Sequence, residues 1–119
     1  MDLSKLLADK KYCDITFTLD DGTAHQAHKN ILVCRSEHFK AMLEGGLRES
    51  GQNTIRVPGV REAVFKAIMQ FIYTDTVTVT DDIAVDLFIV SDKFLLPKLK
   101  WLVEDALLRG TYKNIIRCI

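Results

Sequence analysis

The chain has 119 residues, 16 basic and 16 acidic, and 48% are apolar in the broad sense. That length fits one domain with a core of its own, and zero formal net charge excludes a generic nucleic-acid binder, which carries a basic excess. The longest apolar runs, Phe94-Leu95-Leu96 and Ala106-Leu107-Leu108, are far too short to span a bilayer, and no charge surplus draws the chain to anionic lipid.

Helical spacing opens the chain from Ser4 to about Asp9, with Leu3, Leu6 and Leu7 on one side. Strict alternation follows, with Ile15, Phe17 and Leu19 pointing one way and Thr16 and Thr18 the other, which predicts a half-buried strand. Asp21-Gly22 supplies the tight turn, and Thr23 to Ala27 returns as the second strand. His28 to Cys34 switches to helical spacing. Ser36 is placed to cap a second short helix carrying Phe39, Met42 and Leu43, which Gly45-Gly46 ends. Leu47 to Gln52 is a polar loop with one apolar residue, and Thr54 to Val57 is a short strand stopped by Pro58-Gly59.

From Arg61 to Tyr73 a wide stripe of Val64, Phe65, Ile68, Phe71 and Ile72 predicts a strong helix. Thr76 to Val79 is β-like. Asp81 or Asp82 is expected to cap a helix to about Phe94, in which Ile83, Leu87, Val90 and Phe94 form one face while Val85, Phe88 and Ile89 cover much of the rest, predicting a central, buried position. Pro97 and Gly110 frame the next helix, with Leu99, Leu102, Val103 and Ala106 inward and Trp101 and Leu108 on the opposite face. Those two are covered either by the following segment, Tyr112 to Ile119, or by a partner. The order is helix, hairpin, helix pair, strand and three helices, an α+β rather than a doubly wound arrangement. The expected organisation is one domain over residues 1–110, with 111–119 as the start of a following helix in a longer protein.

The mean hydropathy of +0.07 is high for a small monomer and places part of the apolar surplus at an interface. Three cysteines, Cys13, Cys34 and Cys118, form no C-x-x-C pair. With no secretory pattern at the N-terminus, the expected address is intracellular, cytoplasmic or nuclear. Cys13 and Cys34 lie in apolar segments and read as small hydrophobes.

Catalytic patterns are not found. His25-x-x-His28, with Cys34 and His38 nearby, straddles a strand-to-helix junction, so the side chains need not converge on a metal. Ser36 beside His38 lacks a nucleophile elbow, Asp20-Asp21 reads as a turn, and no glycine run precedes Lys-Ser/Thr. The sequence implies no enzyme, no metal and no cofactor.

One string of residues has a recognisable order: Asp14-Ile15-Thr16-Phe17, then Ala27-His28-Lys29-x-Ile31-Leu32, then Arg35-Ser36-x-x-Phe39-x-x-Met42-Leu43. It continues with Leu47-x-Glu49-Ser50, Phe71-Ile72-Tyr73-Thr74 and Ser91-Asp92-Lys93-Phe94-x-Leu96-x-x-Leu99. Over about residues 3 to 109 this resembles a BTB/POZ domain. The resemblance implies a small, mainly antiparallel sheet packed on a cluster of helices with helical hairpins. It implies binding rather than catalysis: a homodimer built in part by Leu3, Leu6 and Leu7, with Asp14, His28 and Lys29 as turn residues or as part of the dimer groove. In the adaptor class of the family, a hydrophobic-x-Glu motif docks the N-terminal region of cullin-3, and Leu47-Arg48-Glu49 stands at that position here. Leu47 either fills a partner's pocket or folds back on its own domain. The resemblance thus implies a substrate adaptor of a ubiquitin ligase, with the substrate held by regions outside this chain. The alternative is a dimerising scaffold or co-repressor-type module without a cullin. Two departures stand out: only about a dozen residues precede Asp14, so an exchanged N-terminal strand is not expected, and Asp75 occupies a place where many relatives carry Gly.

Overall fold

A computed structural model describes residues 5, 11–44, 53–109 and 114–117. Strand β1 (Ile15–Leu19) is the centre of a three-stranded sheet in the order β2-β1-β3. It pairs antiparallel with β2 (Ala24–Ala27), Phe17 facing His25, and parallel with β3 (Thr54–Val57), Phe17 facing Ile55. The sheet is therefore mixed. A hairpin joins antiparallel strands in two residues, whereas a parallel pair requires a crossover, which here carries helices α1 (Lys29–Arg35) and α2 (Glu37–Glu44).

The hairpin turns at Asp21-Gly22, but only Gly22 takes a positive φ, so three residues, Asp20 to Gly22, join the paired Leu19 and Thr23 rather than two. Gly22 takes φ 89°, its N–H donates to the Leu19 carbonyl at 3.0 Å, and Asp21 Oδ1 accepts from the Thr23 amide and hydroxyl. The second turn, Pro58-Gly59, is pinned to the first, because the Gly59 N–H donates to Asp20 Oδ2 at 2.9 Å.

Ile15, Phe17 and Leu19 are buried, as the alternation requires. Phe17 meets Phe39 of α2 and Phe65 of α3 (Glu62–Thr74) at centroid distances of 5.4 and 5.5 Å, edge-on and tilted. Helix α3 carries the core on Val64, Phe65, Ile68, Phe71 and Ile72. Ser36 caps α2 as expected: its Oγ accepts from the Phe39 amide and donates to the Phe94 carbonyl, tying α2 to the helix pair beyond.

Strand β4 (Thr76–Val79) leads to α4 (Ala84–Lys93) and α5 (Pro97–Arg109). Neither Asp81 nor Asp82 caps α4; the Asp82 carboxylate instead takes the Thr80 hydroxyl, and the helix starts at Ala84. Nor is α4 buried all round. Helices α3 and α5 cover Ala84, Leu87 and Val90, but Val85 and Ile89 are 60% and 58% exposed. Two neighbouring helices cannot enclose a third, so a nearly encircling apolar pattern still leaves an outer face.

The segment expected as a helix after residue 110 is, over its described residues Asn114–Arg117, a strand, β5, antiparallel to β4. Within the described residues β4 has no other strand neighbour, and the β-branched pair Ile115-Ile116 suits an extended partner better than a helix. Of the two covers expected for Trp101 and Leu108, the following segment supplies none over its described residues; the two stand 64% and 81% exposed on α5. The expected helix at the N-terminus lies, apart from Lys5, outside the described residues.

Candidate functional site: a turn lock and the motif positions around it

The junction between β2 and α1 gathers the residues that the motif reading singled out. Helix α1 has no side-chain cap of its own at His28. Its first amide is taken from across the sheet: the Lys29 N–H donates to Asp14 Oδ1 at 2.8 Å, while the Asp14 N–H donates to the Ala27 carbonyl at 3.1 Å. A carboxylate beside the opening turn of a helix also meets the positive end of its dipole. Lys29 extends outward, its Nζ 3.2 Å from Asn53 Oδ1 beside β3.

His28 is only 5% exposed, and one side chain serves both its backbone N–H and its Nδ1. Its backbone N–H donates to Tyr73 Oη at 2.9 Å, and its Nδ1 lies 2.8 Å from the same oxygen. The pair is complete when the phenol donates to Nδ1, which leaves the ring proton on Nε2. Burial, the largest effect on this group, pushes the Tyr73 hydroxyl up to about 12 against the opposing hydrogen bond from His28, so the phenol stays a donor at neutral pH. Cys13 is half-buried against the same imidazole, with Sγ 3.8 Å from Nε2.

The far end of α3 closes in a related way. Asp75 takes the left-handed conformation, φ 59°, that favours glycine, and it ends the helix with its N–H on the Phe71 carbonyl. Arg35 at the end of α1 holds this turn, its guanidinium on the Asp75 carboxylate and its Nε donating to the Ile72 carbonyl at 2.8 Å. The missing glycine is thus matched by an ion pair that keeps the strained residue in place.

The four positions of the possible metal cluster go to separate surroundings. His25 Nε2 is 3.2 Å from Glu62 Oε2 but off the hydrogen-bond direction, with its ring tilted against Phe65. His28 is held by Tyr73, and His38 stacks on Phe94 at 4.7 Å. Burial, with the Lys93 charge second, lowers the His38 pKa and favours the neutral ring. Cys34 is exposed rather than packed as a small hydrophobe, because it sits on the outer side of α1 while Leu32 points in. Among the described residues no group of three or more His, Cys, Asp and Glu could hold a metal.

Leu47 and Glu49, and Leu3, Leu6 and Leu7, lie outside the described residues. Asp14, His28 and Lys29 are brought together, and their contacts are those of a turn lock. The reading missed the partner that makes it work. Tyr73 belongs to the quoted Phe-Ile-Tyr-Thr run, and its signal was a hydroxyl within the apolar stripe of a buried helix, where it must find a hydrogen bond.

This chain belongs to the BTB/POZ domain family, whose family model matches residues 3–111. Members of the family are protein-interaction modules. Among curated proteins, the Arabidopsis thaliana "ARM repeat protein interacting with ABF2" is 41% identical over 91 residues, covering 76% of this chain and 13% of that protein. "Armadillo BTB Arabidopsis protein 1" of the same species is 34% identical over 96 residues, covering 81% of this chain and again 13% of the relative. The chain therefore spans roughly an eighth of the length of these relatives. Among solved structures, the BTB domain of zebrafish PATZ1 superposes with a TM-score of 0.76 at 19% identity, over 90% of this chain and 86% of the other. That of human gigaxonin gives 0.71 at 24% identity, over 87% of each. The fold is α+β, as the sequence reading has it. No helix among the described residues is long and apolar enough to cross a membrane.

Proposed function

We propose that this domain is a homodimerising adaptor that docks the N-terminal region of cullin-3 through Leu47 and Glu49 and brings a substrate held elsewhere in the protein to a ubiquitin ligase. The observation that carries the reading is Leu47-Arg48-Glu49 in the stretch between α2, which ends at Glu44, and β3, which begins at Thr54, on a chain that matches the family from residue 3 to 111. An aliphatic side chain two residues from a carboxylate, in an otherwise polar loop, has the chemistry of an anchor that fills a partner's pocket while the charge fixes its orientation. In this reading Leu3, Leu6 and Leu7 supply an apolar face for the second copy, while Asp14, His28 and Lys29 hold the turn between β2 and α1. Two armadillo relatives, one named for an interaction with ABF2, support a division of labour in which another part of the protein selects the substrate. Such a module works in the cytoplasm or nucleus, catalyses nothing itself and contacts neither nucleic acid nor membrane.

Calorimetric titration with the cullin-3 N-terminal region tests the docking. Binding is expected, and Leu47→Asp is expected to weaken it by at least about tenfold, or 1.4 kcal/mol. Light scattering at several concentrations reads the dimer, which Leu6→Asp is expected to disrupt. A dimer that shows no cullin binding, or equal binding by Leu47→Asp, rejects the adaptor reading in favour of a dimerising scaffold.

A further inference from the structure

The outer face of α4 combines exposed aliphatic side chains with acidic ones. Val85 and Ile89 stand one helical turn apart, both more than half exposed, with Asp86 between them. At their foot is a cavity of about 130 Å³ between α4 and the start of α3, lined by Gly59, Arg61, Val64, Asp86, Ile89 and Val90. An engineered cavity of roughly 150 Å³ accepts a benzene-sized group, so this one has room for the end of an aliphatic side chain. A wider, shallower depression of about 520 Å³ adjoins it, sharing Gly59 and Arg61 and bordered by Asp20 and Asp21.

The charge around this groove is one-sided. Four aspartates, Asp20, Asp21 and Asp86 in the lining and Asp82 beside Arg61, meet two arginines already committed within the domain. Arg61 Nε donates to Asp86 at 3.0 Å and its Nη2 to the Asp82 carbonyl at 2.6 Å, while Arg56 pairs with Asp20 at 3.2 Å. Hydrogen bonds from Thr23 and Thr80 lower the pKa of Asp21 and Asp82, so both are ionised at neutral pH. The surface is thus an aliphatic seat in an acidic rim.

We infer that the α4 face docks a segment of a partner protein in which an aliphatic side chain is flanked by lysines or arginines. The apolar side chain packs on the exposed Val85 and Ile89 at the mouth of the cavity, and the flanking cations face the aspartates. A second copy of this chain is the poorer occupant. A two-fold contact through the same face lays one acidic rim on another, while the arginines of each copy are already paired within it.

The test is an NMR titration of the whole 119-residue chain, labelled with ¹⁵N, against three synthetic twelve-residue peptides. The first places Leu and Lys at helical spacing, the second replaces every Lys by Glu, and the third replaces every Leu by Ser. The first is expected to shift the amides of Gly59, Arg61, Asp86 and Ile89, and to bind at least about tenfold more tightly than either other peptide. Ile89→Ser and Asp86→Asn, whose own spectra report that the fold is intact, are each expected to weaken it several-fold, and added salt to weaken it further. Equal binding of the Ser peptide overturns the proposal, since charge alone then accounts for it. So do unchanged affinity in Ile89→Ser, shifts confined to another face, and movement of these amides with protein concentration when no peptide is present, which assigns the face to a second copy.

Discussion

The two ends of α3 border regions that use charged and aromatic side chains in opposite ways. At its C-terminal end, Tyr73 turns inward and completes His28, Asp14 takes the first amide of α1, and Arg35 holds Asp75; the groups satisfy one another within the domain. At its N-terminal end, Arg61 ties the start of α3 to α4 but leaves Val85 and Ile89 uncovered and a rim of aspartates in excess of cations. A closed network converts side-chain chemistry into geometry, because every buried polar group must be paired before the turn is stable. An open face keeps apolar area and charge for something outside the domain. The contrast separates residues whose substitution harms folding from residues whose substitution harms only association.

The largest effect is expected in the closed region. Tyr73→Phe removes the one oxygen that serves both the His28 amide and its Nδ1, leaving a buried donor and acceptor unmatched. A loss of about 1–3 kcal/mol is expected, read by urea denaturation with an unchanged slope. If the stability stays within about 0.5 kcal/mol of the parent, the lock is not the closed network described. The same tyrosine gives a pH test. A phenol raised from 10 to about 12 stays protonated in the folded state while the unfolded chain ionises. The unfolded state then binds fewer protons, so stability falls as pH rises from about 10 to about 12. A phenolate absorbance titration should show one late tyrosine in the parent, absent from Tyr73→Phe.

A smaller effect belongs to Asp14, whose carboxylate is exposed although its hydrogen bond caps α1. Asp14→Ala is expected to cost about 0.5–2 kcal/mol, and Asp14→Asn, which keeps an acceptor oxygen, clearly less. Equal losses in both variants would point to the charge rather than the hydrogen bond. The smallest effect on folding is expected at the open face. Val85→Ser and Ile89→Ser should change stability by no more than about 0.5 kcal/mol in thermal or urea denaturation, since both side chains are more than half in water already. A larger loss in either would show that the face is part of the core and would erase the distinction.

Much of the fold is legible in local pattern. The alternation of Ile15, Phe17 and Leu19, the Asp21-Gly22 turn, the Ser36 cap and the stripe from Val64 to Ile72 each place an element within a residue or two, because burial has a period of two in strands and 3.6 in helices. The order of the motifs was enough to identify the family. The position of Lys29 at a helix start and of Tyr73 near a helix end was also readable, but not that an oxygen from one would reach the amide next to the other, 45 residues away.

What the sequence by itself determined is which faces are apolar, where the chain turns, and, through the order of its motifs, a family of protein-interaction modules. What only the tertiary structure decided is which apolar faces find a neighbour. The spacing of Ile83, Leu87, Val90 and Phe94 marks the face of α4 that is buried, but nothing local tells that Val85 and Ile89, equally apolar, are left more than half exposed. Nothing local assigns Asn114–Arg117 to the edge of β4, or joins β1 and β3 in parallel across two helices. Periodicity records that a side chain avoids water; how many elements surround it is settled only when the rest of the chain has packed.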